Sequence, residues 1–269
     1  MPILPPSVAA PYDPVSTILN AARTRLNDAV PTLVSLSGKV LQDTEAFTQQ
    51  MTNNAWRRMQ EQLANYGYTG LNTEVVIPSI PVVASTDPAS QCYLSWTGFF
   101  DGVNLFDTPN LPFDFILPLK VWERTSGQNA CFSDVPMEQI LDGLPSRPKV
   151  WANYWWEWRQ DAIYFPGSQI VEDFRIKYAR YLGDFVDVGD VRWFDQPAQI
   201  MRCADSFSWY IAAEFVSSRG DAATALEFTN RGADAAKLVM NREIRQKQRV
   251  NVRRRPRPSS RGWGYGMLG

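Results

Sequence analysis

The chain has 269 residues, with 27 Lys plus Arg against 28 Asp plus Glu, three cysteines and no histidine. Ser-His-Asp and Cys-His nucleophilic centres and imidazole-ligated metals are therefore excluded, and catalysis would fall to carboxylates, Lys or Tyr. At 45% hydrophobic, 13% aromatic and 20% charged, the composition predicts a soluble globular chain that buries one large core or two small ones.

Asp13-Pro14 predicts a helix start, an acidic N-cap followed by Pro at the first helical position, and Val15, Ile18, Leu19, Ala22 and Leu26 keep a helical period until Pro31 ends it. A second helix is expected from Asp43-Thr44, with Phe47, Met51, Ala55, Met59 and Leu63 on one stripe and Gly67 as its stop. From Thr73 to about Phe194 short runs of Val, Ile, Trp and Tyr punctuated by Pro and Gly predict strands. Val150 to Arg159 places Val150, Ala152, Tyr154, Trp156 and Trp158 on one face, Asp161 to Phe165 pairs with it, Pro166-Gly167 turns, and Glu172 to Leu182 follows. Phe113 to Arg124 is ambiguous, since Asp114 could cap a short helix that Pro118 interrupts. Helical spacing returns at Asp195-Gln196-Pro197 with Ile200, Met201, Ala204, Phe207, Ile211 and Phe215. Arg219-Gly220-Asp221 then predicts a tight helical hairpin into a fourth helix through Leu226, Ala233, Ala236 and Met240 to about Gln248.

The expected fold is thus α+β: an antiparallel bundle of four main helices, a β-rich insertion between helices two and three, and an extended C-terminal tail. Its parts are residues 1–70, 71–194, 195–248 and 249–269. The longest apolar run, Val75 to Ala84, is broken by Pro78 and Pro81 and is shorter than the roughly 18 residues of a membrane span. No basic residue precedes Arg23 and no compact apolar segment marks a secretory leader. Cys92, Cys131 and Cys203, odd in number and spaced 39 and 72 apart, predict free thiols in a reducing compartment.

No phosphate-binding or dinucleotide glycine pattern is present. Tyr154, Trp155, Trp156 and Trp158 could stack on a sugar or base, but alternating aromatics on a half-buried strand more often face a core or a subunit contact. Glu157 with Asp161, or Glu172 with Asp173, could serve as acid and base, yet nothing sequential fixes their separation. No catalytic, cofactor or metal residues are expected. The near-neutral charge conceals an asymmetry: from Arg242 onward nine basic residues face one acid, Glu243, for +8, leaving 18 basic and 27 acidic residues, −9, on residues 1–241. Arg249, Arg253, Arg254, Arg255, Arg257 and Arg261 with Trp263 and Tyr265 are the candidate partner-binding residues. They form either a solvated terminus, a set of phosphate contacts, or an extended Arg/Pro peptide with aromatic anchors that docks into an acidic protein groove.

Phe47 to Trp56, Leu117 to Arg124, Trp156 to Arg159 followed by Asp161 to Gly167, and Asn241-Arg242-Glu243 leading into the tail, taken in that order, resemble the head-to-tail adaptor (head completion, or neck) proteins of tailed bacteriophages. None of these stretches is a chemical signature; the order carries the likeness. The resemblance implies a structural, non-enzymatic virion protein assembled in the host cytoplasm at the head-to-tail interface. It implies a ring of copies, commonly twelve, attached to the portal by the C-terminal segment and to tail or neck proteins on the other face. DNA would pass through the channel without sequence-specific binding, no membrane is involved, and a body at −9 suits such sliding. A tail-side completion or minor tail protein, and a nucleic-acid-binding protein acting through the Arg tail, are the alternatives.

Overall fold

The first helix, α1 (Val15–Ala29), starts directly after Asp13-Pro14 and is tied down at its first turn. Helix N-termini leave backbone N–H groups without helical partners; here the Val15 N–H donates to Gln196 O at 3.0 Å and Asp13 O accepts from Ala198 N at 2.9 Å. Val15, Ile18, Leu19, Ala22 and Leu26 are all buried, as their spacing predicts. The computed structural model describes residues 12–29, 47–80, 91–126, 131–140, 155–165 and 171–251.

The second helix, α2 (Gln49–Asn65), begins later than Asp43-Thr44; Thr48 is the N-cap, its Oγ1 accepting from Met51 N at 3.1 Å. Residues 43–46 lie outside the described residues. Gly67 takes φ +77° just past the end, a left-handed stop that favours glycine. The third, α3 (Ala204–Ser218), begins well after Asp195-Gln196-Pro197, leaving Ile200 and the exposed Met201 ahead of it, and with the fourth, α4 (Ala222–Asn251), it forms the expected hairpin. Gly220 at φ +86° ends one, and Asp221 Oδ1 accepts from Thr224 N at 3.1 Å to open the other.

The buried line of α4 is Ala225, Phe228, Ala235, Ala236 and Val239, whereas Leu226 is exposed. The expected stripe was turned because α4 comes close to α3 at Gly232, whose carbonyl accepts from Ser206 Oγ at 2.9 Å and where a Cβ would lie 3.0 Å from the Tyr210 ring. Glycine lets the two backbones approach, and that contact selects the face.

Among the described residues nine strands follow in chain order: β1 (Asn72–Ile80), β2 (Cys92–Ser95), β3 (Gly98–Phe100), β4 (Leu105–Phe106), β5 (Phe115–Thr125), β6 (Glu138–Gln139), β7 (Trp155–Arg159), β8 (Ala162–Phe165) and β9 (Glu172–Arg180). They make a three-stranded sheet, β1-β9-β5, and a six-stranded sheet, β4-β3-β2-β8-β7-β6. In β9 Phe174, Ile176 and Tyr178 point between the sheets at period 2, and Phe165 of one sheet stacks on Phe174 of the other at 4.4 Å. The ambiguous 113–124 segment is strand β5. Pro118 is tolerated because the ladder shifts register between Pro118 and Lys120, and a strand without a strand partner on one side can lack an N–H.

The expectation of a four-helix bundle bearing one β insertion is not met. Among the described residues the strands form two sheets, of three and six strands, and the helices do not close a core by themselves. The cluster they line takes in Leu71 and Ala179, with Ile116 and Leu117 packed against it, from the ends of the three-stranded sheet. Around α3 stand α1, α2 and α4; α3 is buried on most of its circumference, with Ser206, Ser208, Tyr210 and Ala213 inside as well as Phe207, Ile211 and Phe215. Periodicity alone assigns one buried stripe per helix, so it missed both the all-round burial of α3 and the share of the helical core built by strands.

Candidate interaction surface

Three features project from this frame: the end of α4, a loop hairpin, and the outer face of the three-stranded sheet. At 30 residues, α4 outruns the 15-residue α3 beside it by half its length, about 22 Å at 1.5 Å per residue. Arg249, expected in an extended tail, lies on this helix, which continues through Asn251. Arg253, Arg254, Arg255, Arg257, Arg261, Trp263 and Tyr265 lie outside the described residues.

The hairpin spans residues 183–195 and is held at its base by main-chain contacts. Phe185 is buried between Trp56 and Phe207, with ring centroids at 5.1 and 6.0 Å. Its N–H donates to Asn53 Oδ1 at 2.9 Å, and its carbonyl accepts from Asn53 Nδ2 at 3.1 Å and Gln49 Nε2 at 2.8 Å. One further step along α2, Gln60 Oε1 accepts from Leu182 N at 2.6 Å. Gln49, Asn53 and Gln60 thus form a polar stripe on α2 that grips the incoming strand as a neighbouring β-strand would. At the tip, Val188 and Val191 exchange both backbone hydrogen bonds at 3.0 Å around Gly189 at φ +58° and Asp190, a two-residue turn. Asp187 Oδ1 accepts from Trp193 N at 2.7 Å, and Gln196 Nε2 donates to Val186 O. Despite this anchoring, Val186, Val188 and Val191 are 47, 61 and 50% exposed.

On the outer face of the three-stranded sheet, Glu74, Lys177 and Lys120 form one cross-strand row and Val76, Arg175 and Trp122 the next, with Arg124 opposite Asp173 beyond. Arg175 lies between the Trp122 and Phe132 rings, 4.3 and 5.1 Å from their centroids. Arg124 Nε donates to the buried Asp173 at 2.8 Å. Lys177 reaches Glu74 only at 4.0 Å, and exposed Lys120 makes no ion pair among the described residues.

The cleft between α2 and residues 180–184 is lined by Arg57, Glu61, Phe113, Arg180, Tyr181 and Asp184. Two of its polar pairs are committed to each other: Arg57 pairs with Asp184, which holds the guanidinium above its ordinary value, and Tyr181 OH donates to Glu61 at 2.5 Å. Such mutual pairing fastens the sheet end to α2.

The carboxylates weighed as an acid and base pair have structural settings. Glu157 is buried 3.7 Å from Arg159, and Asp161 occupies the β7–β8 turn at φ +56° beside Gln160 at +50°. Asp173 is engaged by Arg124 and Glu172 is buried in β9. Among the described residues no group of three His, Cys, Asp or Glu is placed to hold a metal, and no helix is long and apolar enough to cross a membrane. Trp156 is buried and Trp158 packs against Phe115, so these two rings are core, while Tyr154 lies outside the described residues. All three cysteines are free thiols; burial, with the charge of Asp13 adding to it, pushes Cys203 up to about 12.

The tip hairpin and the sheet face were missed by sequence reading, although signals existed. Val188-Gly189-Asp190-Val191 is a two-residue turn between valines, and Lys120-Val121-Trp122-Glu123-Arg124 alternates around a single inward residue, Val121. Compared with known proteins, the chain matches no family model and no curated protein.

Proposed function

We propose that this chain is a structural adaptor of a tailed phage, joining portal to tail as a ring of copies and attaching to the portal through its basic C-terminal segment. The observation that carries the reading is α4: it leads away from its α3 partner for half its length and delivers a segment with nine basic residues in the last 28 beyond an acidic body. A segment meant to reach a second protein needs such a lever. Arg and Trp in a Pro-spaced peptide supply charge and anchors for an acidic groove. The resemblance of the ordered stretches noted above points the same way.

The test is a chain ending after Asn251, compared with the full chain for co-sedimentation with portal rings. Because the helix is retained, the truncated chain should melt within about 1 °C of wild type while losing portal attachment. Undiminished attachment overturns the reading. Loss of salt-dependent DNA binding, with portal attachment intact, would instead favour the nucleic-acid alternative.

A further inference from the structure

We propose that the valine–aspartate hairpin of one copy seats on the outer face of the three-stranded sheet of another copy, giving a head-to-tail contact. Both surfaces are incomplete alone. Lys120 and Lys177 are direct cross-strand neighbours, and like charges so placed are destabilising unless an anion offsets them. Beside them lie Val76, 46% exposed, and the Trp122 and Phe132 rings around Arg175, whose buried Nε has no hydrogen-bond partner among the described residues. The face carries four cations, Lys120, Arg124, Arg175 and Lys177, against Glu74 and Asp173.

The hairpin is its complement. Asp190 sits at the tip without an ion pair among the described residues, flanked by the three exposed valines. The clamp from α2 fixes the loop before any partner arrives, so little conformational freedom is lost on docking. In one copy the hairpin hangs from the helical half through Phe185 and the face belongs to the β half, where Glu74, Val76 and Lys120 are exposed and Trp122, Arg175 and Lys177 are half-buried. Two different patches that fit each other define a heterologous contact, the type that propagates and closes into rings. The contact deepens the adaptor reading and depends on it only for ring closure.

A hairpin tip covers less than a standard interface of about 800 Å² per partner, so isolated chains should associate with Kd on the order of 0.1 mM. Sedimentation of the full chain across that concentration, at low and high salt, is the test. Lys120→Glu and Asp190→Lys, both at exposed positions, should each weaken association about tenfold; Asp190→Lys should leave the melting temperature where it is, and Lys120→Glu, which relieves the repulsion with Lys177, should not lower it. A one-to-one mixture should restore it, since each reversed hairpin then meets a reversed face. A wild-type chain that stays monomeric overturns the contact and leaves portal attachment by the tail untouched. So does a mixture that fails to recover, or weakening by Lys120→Glu alone, which would assign the face to another anion such as nucleic acid.

Discussion

Replacing Asn53 with Ala removes the clamp at the base of the hairpin while leaving α2 with a better helix former. Two hydrogen bonds vanish, but their partners fare differently. The Phe185 carbonyl keeps Gln49 Nε2 at 2.8 Å, whereas the Phe185 N–H, bonded only to Asn53 Oδ1 at 2.9 Å, is left without a partner in a buried site. An orphaned buried donor costs about 1–3 kcal/mol, so Asn53→Ala should destabilise by about 2 kcal/mol and lower the melting temperature by roughly 4–8 °C. Gln49→Ala, which leaves the carbonyl bonded to Asn53, should cost about 1 kcal/mol or less. Asn53→Asp keeps an acceptor for the N–H but turns a carboxylate oxygen toward the carbonyl, and should do no better than Ala. Urea unfolding monitored by Trp fluorescence gives the ranking, and amide exchange at Phe185 shows where the loss falls. An Asn53→Ala chain within about 0.5 kcal/mol of wild type, with Phe185 exchange unchanged, would refute the idea that the hairpin is clamped by its main chain.

Other outcomes follow from the same geometry. Asp161→Gly should stabilise by about 0.5–1 kcal/mol, because the β7–β8 turn holds a non-glycine residue at φ +56°; a loss in urea stability would contradict the turn assignment. Brief alkylation of the native chain should label Cys131 alone, since Cys92 and Cys203 are buried, with all three labelled after denaturation; peptide mass spectrometry reads this directly. Burial together with Asp114 and Glu61 raises the Tyr178 and Tyr181 phenols, and burial pushes Tyr210 up to about 12. The folded chain therefore holds these protons after the unfolded one, whose phenols ionise near pH 10, begins to lose them. The contribution of these phenols to stability should be constant below about pH 10 and fall as pH rises from there through the raised values. Tyr178→Phe should shallow that slope in denaturant titrations, and an unchanged slope would count against its bond to Asp114.

Local chemistry was the most legible part of the sequence. The Asp13-Pro14 start, the Gly67 stop and the Gly220-Asp221 junction all follow from backbone and pattern. What was not legible depended on partners distant in the chain. The buried face of α4 is chosen by Gly232 against Tyr210, and β5 is a strand despite Pro118 because β9 shifts register there. The polar stripe Gln49, Asn53 and Gln60 looks like an exposed helix face until the 182–185 segment is laid against it. Of the candidate surface, the basic tail could be named from composition; the hairpin and the sheet face could not, since their importance lies in being exposed when similar residues elsewhere are buried.

The stripe on α2 has a consequence for how such a surface can change. The hydrogen bonds of Gln49, Asn53 and Gln60 to the loop go to main-chain atoms of Leu182 and Phe185, so this hold on the loop does not depend on the side chains at 186, 188, 190 and 191. Tip residues can be exchanged for others with little effect on folding, and a partner that drifts in sequence can be followed by substitutions there. Fold and recognition are thereby written in separate alphabets, one of amides and one of side chains.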